Sequence, residues 1–171
     1  MRTIIFILLL SPLFSFAQKT DVFIKLTDSQ KQEIKGEAVL KGYERWIGAT
    51  TLNSAGKNNT QISFTMTVSG TSADLKRAMA NNEILQSGQV TVLAPTQSLS
   101  APTISYIIKM ENIVVSSCAD AMGCDNVMST SVTLQATRIG WTYYQMGKTG
   151  SQTISRKFGW DAETKSEWTN F

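Results

Sequence analysis

A mainly β fold with one short helix is what this sequence predicts, and three observations carry the prediction. Apolar residues recur with period two: Ile62, Phe64, Met66 and Val68 alternate with Gln61, Ser63, Thr65 and Thr67, the pattern of a strand with one face buried. The period of a helix occurs once, at Leu75, Ala78 and Met79. The 171 residues are 42% hydrophobic and only 17% charged, enough apolar side chain for a packed core and too little charge for a disordered chain or a coiled coil.

The elements follow in order. Met1-Arg2 is a short positive end, Ile4–Leu10 an unbroken apolar run, and Ser15-Phe16-Ala17 puts small residues where a signal peptidase reads. The whole apolar stretch from Ile4 to Phe16 is shorter than the ~18 residues a spanning helix needs, and Ser11 and Pro12 interrupt it. Residues 1–17 are therefore expected to be a cleaved signal peptide and 18–171 a single exported domain, periplasmic or secreted, with no membrane span. Strands are expected at Val22–Leu26, Val39–Ile47, Ile62–Val68, Val90–Leu93, Ile104–Met110, Val132–Tyr143 and Thr153–Trp160, giving seven or eight. In the sixth, the apolar face moves from Val132, Leu134 and Ala136 to Ile139 and Trp141, which predicts a bulge near Thr137-Arg138. The helix should start after Gly70, capped by Thr71 or Ser72 with Asp74 in its first turn, and end near Asn81-Asn82, with Lys76 and Arg77 in solvent. Loops are expected at 27–36, 50–59, 95–102, 117–126 and 146–151. The 50–59 loop is long for a hairpin, and such loops are where compact β domains meet other subunits.

Cys118 and Cys124 are the only cysteines, with five residues between them. In an exported chain such a pair is expected to close as a structural disulfide, worth about 2 kcal/mol of loop entropy. The alternative is metal binding, but two thiols with no histidine in the chain need carboxylates to complete a four-ligand site.

The absence of histidine also removes serine–histidine and cysteine–histidine nucleophilic sites. No nucleophile elbow, phosphate loop or dinucleotide fingerprint is present. The carboxylates Asp120 and Asp125, and Asp161 and Glu163, remain as a conceivable acid/base pair or calcium loop, though their spacing fits no ligand loop and solvation is the simpler reading. The net charge of +3 is scattered, without a tract that would hold nucleic acid. Trp46, Trp141, Trp160 and Trp168, with Tyr43, Tyr106, Tyr143 and Tyr144, are a candidate ligand platform, but most fall in alternating strand patterns and read first as packing. Trp168 and Phe171 are the exceptions, placed at the end of the sequence to dock onto something.

The order of the segments resembles a known family. Asp21-Val-Phe-Ile-Lys-Leu, then Ile34-Lys-Gly-Glu and Tyr43-Glu-Arg-Trp-Ile-Gly, Ile62-Ser-Phe-Thr-Met-Thr followed by the 72–81 helix, Tyr106-Ile-Ile-Lys-Met-Glu-Asn-Ile-Val-Val-Ser-Ser, Ser131-Val-Thr-Leu-Gln-Ala and Phe158-Gly-Trp-Asp are similar to the haemolysin-coregulated protein (Hcp) family, the tube proteins of type VI secretion. The resemblance implies a compact two-sheet β-barrel of about eight antiparallel strands with one helix at its side. It further implies a homo-hexameric ring that stacks into a tube, small effector proteins held in the lumen, no catalytic site and no cofactor. It places the ring-stacking loop on Thr50, Thr51, Leu52, Asn53, Lys57, Asn58 and Asn59. The alternative from the residues is a stand-alone exported binding module on the same fold. A secreted toxin or hydrolase is disfavoured by the missing motifs.

Overall fold

The computed structural model describes residues 21–54, 60–94, 103–123, 126–147 and 151–171. Its elements are β1 (Val22–Thr27), β2 (Glu33–Ile34), β3 (Ile47–Ala49), β4 (Thr51–Ser54), β5 (Gln61–Thr67), α1 (Gly70–Ala80), β6 (Ile84–Leu93), β7 (Ile104–Met122), β8 (Met128–Met146), β9 (Gln152–Asp161) and β10 (Ser166–Glu167). The mainly β class with a single helix is as the sequence predicts. The two-sheet barrel is not: all ten strands belong to one sheet, ordered β10-β9-β8-β7-β6-β1-β2, with β3 on β1, and β4 and β5 reached through β8. The ladder does not close on itself. Its two ends approach where the chain passes from β3 to β4 through Thr50, whose N–H and hydroxyl both donate to the Thr65 carbonyl, at 2.8 and 3.1 Å.

The expected strand over Val39–Ile47 is a run of turns, and only Ile47 joins β3. Gly42 and Arg45 take positive φ of 89° and 66°, which no extended run tolerates, and Val39 is 91% exposed. The aromatics that suggested a strand stack instead, Tyr43 on Phe23 at 4.7 Å and Trp46 edge-on to Tyr43 at 5.2 Å. Conversely, Thr51–Ser54 and Ser117–Met122, expected as loops, are strand.

The helix starts two or three residues earlier than expected. Ser69 is its N-cap, and the Ser69 N–H donates to Ser72 Oγ at 3.1 Å. Asp74 therefore sits past the first turn, pairing with Arg77 at 3.0 Å. Lys76 is likewise not simply solvated: its ammonium pairs with Asp120 of β7. Leu75 and Ala78 bury against the sheet.

β7 and β8 form a hairpin of 19 residues a side. The expected bulge at Thr137-Arg138 is a kink shared by both strands. Rungs Glu111↔Arg138 and Ile113↔Ala136 keep one register, so Asn112 and Thr137 lie opposite each other, and Asn112 takes φ 51°. Each strand places two residues between core positions here, Met110 to Ile113 and Ala136 to Ile139, so the inward face shifts on both at once. At this point β8 changes its second partner, from β5 (rungs 129–135) to β9 (rungs 138–146). The sheet divides there, and one apolar cluster from Ile24, Leu26, Phe64, Leu75, Leu85, Ile108, Met110, Leu134 and Ile139 fills the inside.

Candidate functional site

The division gives the outward side of the β7–β8 hairpin two characters. Beyond the kink toward the tip, inward residues Val132 and Leu134 leave Ser129, Ser131 and Thr133 facing out, with Thr67, Thr65 and Ser63 opposite them on β5 and Ala121, Ala119 and Ser117 on β7. Thr51 and Asn53 of β4 extend the face past Thr65 and Ser63. None of these eleven side chains is charged. Ser63 Oγ and Thr133 Oγ1 are 3.1 Å apart, so part of the hydroxyl set satisfies itself across strands.

The loop candidates border this face. Thr50, Thr51 and Asn53 are exposed and Leu52 half-buried, all on strand or strand edge, whereas Lys57, Asn58 and Asn59 lie outside the described residues. The loop's two feet are fixed: Ser54 Oγ accepts from Trp141 Nε1 at 3.0 Å, and the Thr60 carbonyl accepts from the Ala136 N–H at 3.0 Å.

On the other side of the kink the outward face is charged. Lys25 with Glu33, and Lys109, Glu111 and Lys157, line a cavity of about 880 Å³ walled on one side by Trp168–Phe171. Arg138 anchors its end, donating to Asp161 Oδ2 at 2.8 Å and to Glu111 Oε2 at 3.2 Å. Asp161 Oδ1 accepts the N–H groups of Glu163 (2.9 Å) and Thr164 (3.1 Å), shaping the turn that follows β9. Arg138 first, then the Thr164 N–H, hold the Asp161 carboxyl below the usual carboxylate range, against the opposing pull of desolvation. Asp161 and Glu163 thus meet through a backbone amide, as a turn and not as an acid/base pair.

Asp120 is a second structural carboxylate. Besides Lys76 it accepts from Thr130 Oγ1 at 2.9 Å, and Thr130 lies 2.8 Å from Ser72 Oγ, tying helix to hairpin. Lys76 first, then Thr130, lower its pKa. Asp125 lies outside the described residues. Beside this cluster Cys118 is a buried free thiol, directed at the Ser72 carbonyl at 3.9 Å, and burial pushes its pKa up. The pairing expected for it is with Cys124, which lies outside the described residues. Among the described residues no group of three or more Cys, Asp or Glu is placed to hold a metal ion, and no helix is long and apolar enough to cross a membrane.

The aromatics pack. Trp141 is 7% exposed and stacks on Phe158 at 5.8 Å, and Tyr106 meets Tyr143 at 5.4 Å. Trp168 and Phe171 do dock, but onto their own sheet, over Gly140 and Gly159. A Gly↔Gly rung between neighbouring strands is the sequence signal that could have foretold it.

Comparison with known proteins agrees with this geometry. Hcp1 of Salmonella typhimurium superposes with a TM-score of 0.69 at 14% identity, covering 88% of this chain and 99% of that one. A type six secretion system protein gives 0.71 at 18% identity over 86% and 99%, and Hcp1 of the E. coli EAEC 042 pathovar 0.66 at 18% over 82% and 97%. No curated protein matches the sequence. The family model described as type VI secretion system effector, Hcp, matches residues 23–143, well over half of the chain. The chain therefore belongs to the Hcp family of type VI secretion, as a structural protein of the tube and effector kind and not an enzyme.

Proposed function

We propose that this chain is a self-assembling subunit: six copies close into a ring, rings stack into a tube, and the bore carries small effector proteins. Residues 1–17 are removed on export, and 18–171 act as one unit in the periplasm or outside the cell. The observation that carries this reading is the uncharged hydroxyl and alanine face of β4, β5, β8 and β7. Covering it desolvates no charge, and its short side chains let a second surface approach closely while hydroxyls exchange water for protein partners. Thr50, Thr51, Leu52 and Asn53, together with Lys57, Asn58 and Asn59 of the same loop in the sequence, are the stacking contacts of this reading.

The test is the mass in solution of the chain from Gln18 to Phe171 by light scattering over a range of concentrations. A closed species several times the monomer mass is expected, and replacing Lys57–Thr60 by a short turn should abolish stacking while the chain still folds. A persistent monomer would overturn the assembly and favour the second reading, a stand-alone exported binding module. That reading draws on the charged cavity between Lys25, Lys109 and Lys157.

A further inference from the structure

The segment after β9 turns back over the outward face of the sheet. β10 pairs at two rungs, the Trp168 N–H donates to the Gly159 carbonyl at 3.0 Å, and the Phe171 ring then lies over the rung formed by Gly140 and Gly159. A Cβ added at Gly140 would stand 2.6 Å from that ring and one at Gly159 2.5 Å from it, so a side chain at either position would occupy its space. Trp168 leans on Phe171 with ring centroids 4.9 Å apart. Lys157 closes the site from the side: its ammonium is 4.1 Å from the Phe171 ring centroid and donates to the main-chain oxygens of Thr169 at 3.2 Å and Phe171 at 2.8 Å.

These are the parts of a peptide site. Two glycines shape a slot for one aromatic ring, a cation faces the ring, and its protons hold the backbone on either side of residue 170. The rest of the segment is held by backbone bonds near β9, the Ala162 N–H to the Thr137 carbonyl and the Glu163 and Thr164 N–H groups to Asp161, and it buries little side chain: Ala162–Glu167, Thr169 and Asn170 are exposed, while only Trp168 and Phe171 are partly covered.

We propose that Gly140, Gly159 and Lys157 form a recognition slot for a short peptide of the Trp-x-x-Phe kind, filled in cis by Trp168–Phe171 and exchangeable for the same segment of a second copy of this chain. Tethered as it is, the cis segment has an effective concentration on the order of millimolar. It therefore holds the slot in dilute monomer, and exchange becomes competitive where copies are packed side by side.

The full-length double variant Trp168→Ala/Phe171→Ala leaves the ring slot unfilled and the segment held by its backbone contacts alone. A labelled synthetic peptide of residues 164–171 is titrated onto it, onto the wild-type chain and onto the double variant carrying Gly140→Ala, with fluorescence anisotropy as readout and a melting curve for each protein. Saturable binding to the double variant is expected, at least tenfold weaker to wild type and to the Gly140→Ala version, and lost for a peptide with Phe171→Ala. Equal binding to all three proteins, or none to a folded double variant, overturns the proposal. If the double variant does not fold, the single Phe171→Ala chain takes its place; if that too fails to fold, the segment is an integral part of the core and exchange is ruled out.

Discussion

The two halves of the β7–β8 hairpin are built from the same two strands and share one inward core, yet their outward faces differ. Tipward of the Asn112–Thr137 kink the outward residues are Ser117, Ala119, Ala121, Ser129, Ser131 and Thr133; on the other side they include Lys109, Glu111 and Arg138. The backing differs as well. The tipward half is buttressed from the inside by α1 through Leu75, Ala78 and the Lys76–Asp120 pair, the other from the outside by the Trp168–Phe171 segment and the Arg138–Asp161 pair. A half supported from within keeps its outer surface bare; a half supported from without has that surface occupied. Under the two proposals, assembly belongs to the first half and a docked peptide to the second.

The largest effect should come from removing the inner buttress. Leu75 is fully buried between helix and sheet, and Leu75→Ala should cost about 2–5 kcal/mol, transfer plus cavity, in denaturant unfolding. If the halves are supported independently, this variant leaves the Trp168 fluorescence environment native until global unfolding. Early loss of that signal would merge the two halves into one cooperative unit.

Acid should act on both halves through their carboxylates. Asp120 and Asp161 have folded pKa values below their ordinary value of about 3.9. Their contribution is complete above that value and is lost as pH falls through the lower folded values. Melting temperature measured from pH 7 down to pH 2.5 should therefore fall on the acid side of about pH 4, and Asp120→Asn or Asp161→Asn should each flatten that limb. Asp161→Asn should in addition loosen the turn at Glu163 and Thr164, seen as faster amide exchange there and not at the helix. A limb unchanged in both variants would remove these pairs from the stability of either half.

Much of this was legible in the sequence. β5, the cores of β7 and β8, and the helix followed from periodicity, β9 from its β-branched and aromatic run, and the register break read as a bulge at Thr137-Arg138 falls where β8 changes partner. The form of that break was not legible, because a one-sided bulge and a kink shared with Asn112 leave the same trace in a single strand. Val39–Ile47 misled because aromatic and β-branched residues suit a strand and a stacked turn equally, and the left-handed Arg45 carries no glycine to announce it. Lys76 was read as solvated because its partner, Asp120, is 44 residues away. The uncharged face was half visible, as Ser63, Thr65 and Thr67. Its other half fell partly in the 117–126 stretch, where short polar residues read as loop.

A smaller effect concerns Cys118. With the thiol buried and its pKa raised, alkylation of the native chain at pH 7.5 should run at least tenfold slower than in denaturant, and reduction beforehand should not change the rate. Resistance to alkylation in denaturant that reduction abolishes would show a bridge to Cys124 instead.

The smallest change in stability should accompany the sharpest change in behaviour. Ser131 is exposed on β8 between Thr65 and Ala119, on the face of the sheet opposite the Lys76–Asp120 pair and its Thr130 partner. Ser131→Lys should alter unfolding by no more than about 0.5 kcal/mol, because an outward lysine on a strand stays in water. If the hydroxyl face is covered by another copy, that lysine must be desolvated without a partner once per subunit, and no carboxylate lies on the face to receive it. Light scattering should then find monomer where the unaltered chain gives the larger species. A lysine placed instead at Thr27, on the charged side, should leave the mass as it was. Assembly that survives Ser131→Lys would mean the face stays wet, as the wall of a bore, and would move the subunit seam to another surface of the same sheet.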